Sequence, residues 1–269
     1  MILLVGFFRN VIPASLRGRL RRSWEGSRRW AARWRVRPPV GWVRLGSLNR
    51  VTPISRAFGF DRGTPIDRYY IERFLSEHAV DIRGRVLEVG DDGYMRRFGG
   101  DRVTQREVLH VSTGNPQATL VASLETGQGL AGREYDCLIL TQTLHCIYDM
   151  RAAVRTLRRV LAPGGVALVT LPGISQISRY DADRWGDYWR LTPLAAHRLF
   201  EESFAHEQID MRVYGNVLTA TAFLQGMALE DLPRHALEHD DADYPLVLCL
   251  RVRQSATREN TAERTSSVS

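Results

Sequence analysis

The chain has 269 residues, 44% of them hydrophobic, a formal net charge of +7 and three cysteines. That supplies apolar material for one substantial core and argues against a second large domain. Cys137, Cys146 and Cys249 stand far apart with no Cys-x-x-Cys pair, which argues against a zinc site or a disulfide framework and fits a reducing cytoplasm.

The charge is unevenly spread. Residues 1–62 hold fourteen arginines against Glu25 and Asp61, so the basic character belongs to the N-terminus and the remainder is net acidic. The opening "MILLVGFF" is too short to span a bilayer and lacks the flanks of a secretory signal. In residues 9–37, Leu16, Leu20 and Trp24 recur every four positions among arginines, followed by Trp30 and Trp34. Two readings stay open: a helix lying on an anionic membrane surface or touching nucleic acid, and a loosely ordered, solvated arm. Composition divides the chain into an arm over 1–50, a folded domain over 51–254 and a polar, disordered tail over 255–269.

Within the domain, "RGTPIDRYYIERFL" (62–75) reads as a helix start rich in polar and aromatic groups. It serves either as a lid, with Arg68 and a tyrosine such as Tyr70 over a ligand, or as a packing helix with Asp67 as its N-terminal charge. Four apolar runs follow, at 85–89, 107–111, 118–122 and 136–141, with the look of buried parallel strands. Residues 150–161 place Ala153, Val154, Leu157 and Leu161 on one helical face; "APGG" stops that helix and 166–171 is the next strand. A helix at 192–204, a strand at 207–215, a helical stretch from Asn216 and a last strand at 244–253 complete the pattern. This alternation predicts a doubly wound, mostly parallel sheet with a hairpin-like pair added at one edge.

Ligands of such sheets sit at the carboxyl ends of the strands, and the turn after the first strand is the usual place for a nucleotide. Here that turn reads "VLEVGDDGY", with Glu88, Gly90, Asp91 and Gly93 as candidate ligand-facing residues.

Three segments, "VLEVG", "YDCLILTQTLHCIYD" and "LRRVLAPGGVALVTLPG", together resemble the class I S-adenosylmethionine-dependent methyltransferases, in particular a small bacterial branch found with sugar and polysaccharide enzymes. The segment "WGDYWRLTPLAAHRLFEESF" is similar to one that many of these enzymes carry after the fifth strand, and the resemblance spans about residues 64–253. It implies a Rossmann-like, seven-stranded α/β fold with helices on both faces, S-adenosylmethionine as cofactor, and no metal. By position it implies that Arg68, Tyr70, Glu88, Gly90, Asp91 and Gly93 surround the methionine part of the cofactor. Thr141 and Gln142 would lie near the methyl group. His110 and Ser123 stand where the family usually has acidic residues for the ribose and adenine, and both can still hydrogen-bond these groups.

Candidate bases are His145, His197, Asp149 and Asp187, with His145 after the fourth strand and Asp187 in the acceptor-shaping loop the best placed. The activity implied is methylation of an oxygen nucleophile on a small-molecule or glycan-linked acceptor. Two alternatives remain: a non-catalytic module that keeps the fold and binds cofactor weakly, and an RNA methyltransferase or nucleic-acid-binding protein guided by the arginine arm.

Overall fold

The structure is a computed structural model, described here for residues 37–256. The chain divides into two units, Met1–Val51 and Thr52–Ser269. In the first, the described residues form one 3₁₀ turn, Gly46–Leu48. Residues 1–36 of the expected arm (1–50) and 257–269 of the expected tail (255–269) lie outside the described residues.

The second unit is built on seven strands: β1 (Gly84–Val89), β2 (Val103–His110), β3 (Leu120–Val121), β4 (Tyr135–Thr141), β5 (Leu161–Pro172), β6 (Ile209–Tyr214) and β7 (Val247–Arg253). Their spatial order is β3-β2-β1-β4-β5-β7-β6. All pair in parallel up to β5, and β7 runs antiparallel between β5 and β6. The expected seven-stranded Rossmann-like sheet with its late antiparallel pair is the observed one.

Among the described residues, six helices accompany it: α1 (Ile66–Glu77), α2 (Met150–Val160), α3 (Arg179–Ala182), α4 (Pro193–Glu201), α5 (Val217–Leu224) and α6 (Arg234–Leu237). Their starts follow from local chemistry. The Asp149 side chain accepts from Ala152 N at 2.9 Å to open α2, and Thr192 before Pro193 opens α4 in the same way. Asn216 accepts from both Leu218 N and Thr219 N ahead of α5.

Successive strand residues point to opposite faces, so an uninterrupted apolar run requires cover on both sides. In β4, Leu138 and Leu140 pack with Leu157 of α2 and Phe200 of α4 in one core. Cys137 and Ile139 face the other way, into a core with Phe74 of α1 and Phe223 of α5. Reading apolar runs alone misplaced several boundaries. β5 begins at Leu161, five residues before the expected start, so residues 162–165 lie within the strand and do not separate it from α2. β2 begins at Val103, four residues before the expected start, because Thr104, Gln105 and Arg106 extend the ladder with exposed side chains. At the edge of the sheet, β3 keeps only two of the five residues expected.

Among the described residues, no helix is long and apolar enough to cross a membrane.

Candidate active site

The strand order reverses between β1 and β4, and the loops leaving their carboxyl ends separate there to leave a crevice. Gly90, the first residue after β1, has φ +96°, a conformation open to glycine and strained for other residues. Its N–H donates to Leu109 O at 3.0 Å, and its carbonyl accepts from Asn115 Nδ2 at 2.6 Å. A Cβ at Gly90 would meet no protein atom within 4 Å, so the space beside it is open.

A cavity of about 440 Å³ lies there, lined by Gly90, His110, Ser123, Thr141 and Gln142, with Trp185 closing over it. His110 meets the Trp185 ring edge-on at a centroid distance of 5.6 Å. A second cavity of about 460 Å³ is lined by Phe58, Phe60, Asp67, Arg68, His145 and Arg190, among others. Gln142 and Asp181 line both, so the two cavities meet at these residues. Gln142 has φ +47°, unusual for a residue with a side chain, and its N–H donates to the carbonyl and the hydroxyl of Thr170, each at 3.1 Å. Backbone strain of this kind persists where the surroundings over-determine it and concentrates at functional sites.

Of the residues expected at the site, Gly90, His110, Ser123, Thr141 and Gln142 line the first cavity, while Arg68, Gln142 and His145 line the second. Arg68 donates to the Tyr94 hydroxyl at 3.0 Å, and its guanidinium lies 5.7 Å from the centre of the Phe60 ring.

The other expectations need correction. Tyr70 is fully buried in the core beneath the sheet, its ring stacked on Tyr214 at 5.5 Å, so the packing reading of α1 holds for it and the lid reading does not. Glu88 lines neither cavity. Its carboxylate accepts from Tyr94 N at 3.1 Å and Met95 N at 2.7 Å, clamping the start of a short π-helical turn, Met95–Gly99. Asp91 is exposed and accepts from Gly93 N at 2.8 Å, so Asp91 and Gly93 shape the turn and line neither cavity.

Asp187 is also not a free base. Its side chain has no exposed surface and receives both terminal nitrogens of Arg190, at 2.5 and 2.8 Å, and Ser178 N at 2.8 Å. Burial opposes its ionisation, but these donors outweigh burial and hold the carboxyl below its usual range. It therefore anchors the loop between β5 and α4. Asp149 is the cap of α2, and His197 lies on α4 against Glu201; neither lines a cavity.

His145 is 5% exposed, and burial lowers its pKa to about 4 despite the Asp187 carboxylate 3.8 Å from Nε2. Its Nδ1 is buried without a hydrogen-bond partner. At neutral pH the imidazole is therefore uncharged and carries an unsatisfied polar atom.

Burial pushes the Glu88 carboxyl up to about 7, and its two amide donors offset only part of that rise. The folded chain then keeps a proton on Glu88 between pH 4.5 and 7 that the unfolded chain has released, so this residue makes stability fall as pH rises through that window. Glu88→Gln is neutral throughout and should remove the fall, worth about 2–3 kcal/mol. His145, which acts in the opposite direction, is common to both proteins and cancels in the difference. Urea unfolding of both proteins from pH 4.5 to 8 checks this; parallel stability curves would refute it.

Sequence reading missed Asp181 of α3 and Trp185 just after it, which line the crevice, and Asp67 in the second cavity wall. The run "RYDADRWGDYW" marks this stretch as aromatic and acidic, but nothing in it shows that Trp185 meets His110 from 75 positions away along the chain.

The sequence matches the profile of a methyltransferase domain over residues 46–208. No curated protein matches it. Similar solved structures include the N-methyltransferase NodS from Bradyrhizobium japonicum WM9 in complex with S-adenosyl-l-homocysteine. It is 14% identical with a TM-score of 0.47, covering 75% of this chain and 94% of that one. A SAM-dependent methyltransferase from Archaeoglobus fulgidus is 10% identical with a TM-score of 0.47, covering 70% and 94%. The [4+2]-cyclase SpnF is 17% identical with a TM-score of 0.48, covering 73% and 85%. With the methyltransferase-domain match running from ahead of α1 to the start of β6, over more than half of its length, the chain belongs to the class I methyltransferase family.

Proposed function

We propose that the protein transfers the methyl group of S-adenosylmethionine to an oxygen nucleophile on a small-molecule or glycan-linked acceptor. The observation that carries this reading is the pair of cavities meeting at Gln142 and Asp181: one at the nucleotide end of the sheet, one beyond it toward α1 and the loop after β5. When bound, the cofactor supplies an electrophilic methyl on a sulfonium, and the sulfur keeps the bonding electron pair as the new carbon–oxygen bond forms.

The open space beside Gly90 and the polar groups of His110 and Ser123 fit a nucleoside, with Arg68 available to its anionic end. Gln142 stands between this group and the acceptor. The protein's contribution is chiefly orientation in a confined crevice. His145 lines the second cavity, but a pKa of about 4 makes it a weak base. Its ring helps position the acceptor oxygen, and the hydroxyl proton passes to solvent water as the carbon–oxygen bond forms. Tyr180 and Trp185, edge to face at 5.6 Å beside both cavities, offer apolar ring surface suited to a sugar. The arginine-rich residues 9–37 would draw the protein to an anionic surface, membrane or nucleic acid.

His110 and Ser123 in place of carboxylates favour a second reading, a methyltransferase-like module that binds cofactor weakly. Thermal unfolding with and without S-adenosylmethionine and S-adenosylhomocysteine separates the two. Ligand at about 100 times its dissociation constant should add roughly 2.7 kcal/mol. No shift at millimolar ligand would reject the catalytic reading.

A further inference from the structure

Away from both cavities, the end of α4 and the turn leading into β6 bring three metal-ligating side chains together. His197 and Glu201 are one helical turn apart, with His197 Nδ1 3.3 Å from Glu201 Oε1. A 3₁₀ turn, His206–Gln208, returns the chain so that His206 Nδ1 lies 2.9 Å from the same oxygen. The two imidazole centroids are 4.8 Å apart, and one atom from each of the three residues lies within 4.8 Å of the others. Two imidazoles therefore converge on one carboxylate oxygen, while the second oxygen faces Arg198 Nη1 at 3.5 Å.

A carboxylate oxygen has two lone pairs and can accept a hydrogen bond from each ring. Two nitrogens on a single oxygen also match the edges of a coordination sphere: bonds of about 2.0–2.2 Å meeting at roughly 90–110° separate neighbouring donor atoms by about 2.9–3.5 Å. We propose that His197, Glu201 and His206 bind one divalent transition-metal ion of the zinc class. Arg198 holds the second carboxylate oxygen and so leaves Oε1 as the ligating atom, the usual office of an outer hydrogen bond around a metal. His206 is 76% exposed, which gives the ion a route of entry and lets water complete its coordination. Two nitrogens and one oxygen suit zinc, nickel or copper, whereas magnesium and calcium require mostly oxygen. The donor set contains no cysteine, so the cysteine spacing carried no signal of it. The ion would tie the end of α4 to the approach to β6, independently of methyl transfer.

The test is calorimetric titration of the full-length, tag-free protein with zinc, nickel and magnesium chlorides, beside His206→Gln, Glu201→Gln and Cys146→Ala. The last variant controls for a second cluster, His145, Cys146 and Asp181, whose donor atoms also lie within 4.8 Å of one another. One zinc per chain at roughly micromolar affinity is expected, weakened at least about tenfold in the two α4-corner variants, unchanged in Cys146→Ala, and with no magnesium binding. Circular dichroism of each variant confirms that it is folded. Absence of stoichiometric zinc binding below about 100 μM, or equal affinity in His206→Gln and the parent, overturns the proposal.

Discussion

Gly90→Val should lower the affinity for S-adenosylhomocysteine by at least about a hundredfold, near 2.7 kcal/mol, while leaving a folded protein. Two effects act together. At φ +96° a β-branched residue is strained, costing about 1–3 kcal/mol of stability. The new side chain meets no protein atom within 4 Å of its Cβ, so it extends into the space the ligand needs. Gly93→Ala is the informative partner. Gly93 lines neither cavity, and its added Cβ would meet only the Asp91 carboxylate oxygen at 3.0 Å, a side chain able to shift. Its affinity should stay within a few-fold of the parent, on the order of 1 kcal/mol or less. Calorimetric titration with chemical denaturation of each variant measures both effects. Unaltered affinity in Gly90→Val would show that the cavity beside β1 is not the cofactor site.

Asp187→Ala should destabilise the protein by about 3–4 kcal/mol, more than loss of an exposed ion pair. The Asp187 side chain has no exposed surface and Arg190 only a quarter of its own, so truncation leaves the guanidinium beside the second cavity without its counter-charge, held only by the carbonyls of Gln176 and Trp189, and frees Ser178 N. The depressed Asp187 pKa sets the sign with pH: its contribution is present above the ordinary carboxylate range and is lost as pH falls through the folded value. The gap between parent and variant should therefore narrow in acid. Urea midpoints at pH 7 and pH 3.5 measure it; a gap under 1 kcal/mol at pH 7 would mean that the loop is anchored by other contacts. A general base at this position would predict the reverse outcome, a stable variant deficient only in turnover.

These corrections share one cause. "VLEVG" announces a strand and a glycine turn, and both exist, but the direction of the Glu88 carboxylate depends on which amide groups the next turn leaves unpaired. Tyr70 lies on a helix with an apolar face and a polar face, and its ring became core because Tyr214, from β6, offers a stacking surface. Asp187 beside aromatic residues looks like a sugar-facing carboxylate until Arg190, three positions on, closes on it from the same loop.

The order of the elements, the mostly parallel sheet and the crevice after β1 and β4 were determined by the sequence alone. Apolar runs buried on both faces, capping residues and glycine punctuation act over short stretches of chain, and their pattern admits few arrangements. Which polar side chains face that crevice was decided only in the folded molecule. His110 meets Trp185, Gln142 borders two cavities, and His197 and Glu201 meet His206 because distant or looped segments are brought within a few ångströms. Those pairings depend on side-chain direction and competing hydrogen-bond partners, which sequence spacing does not encode.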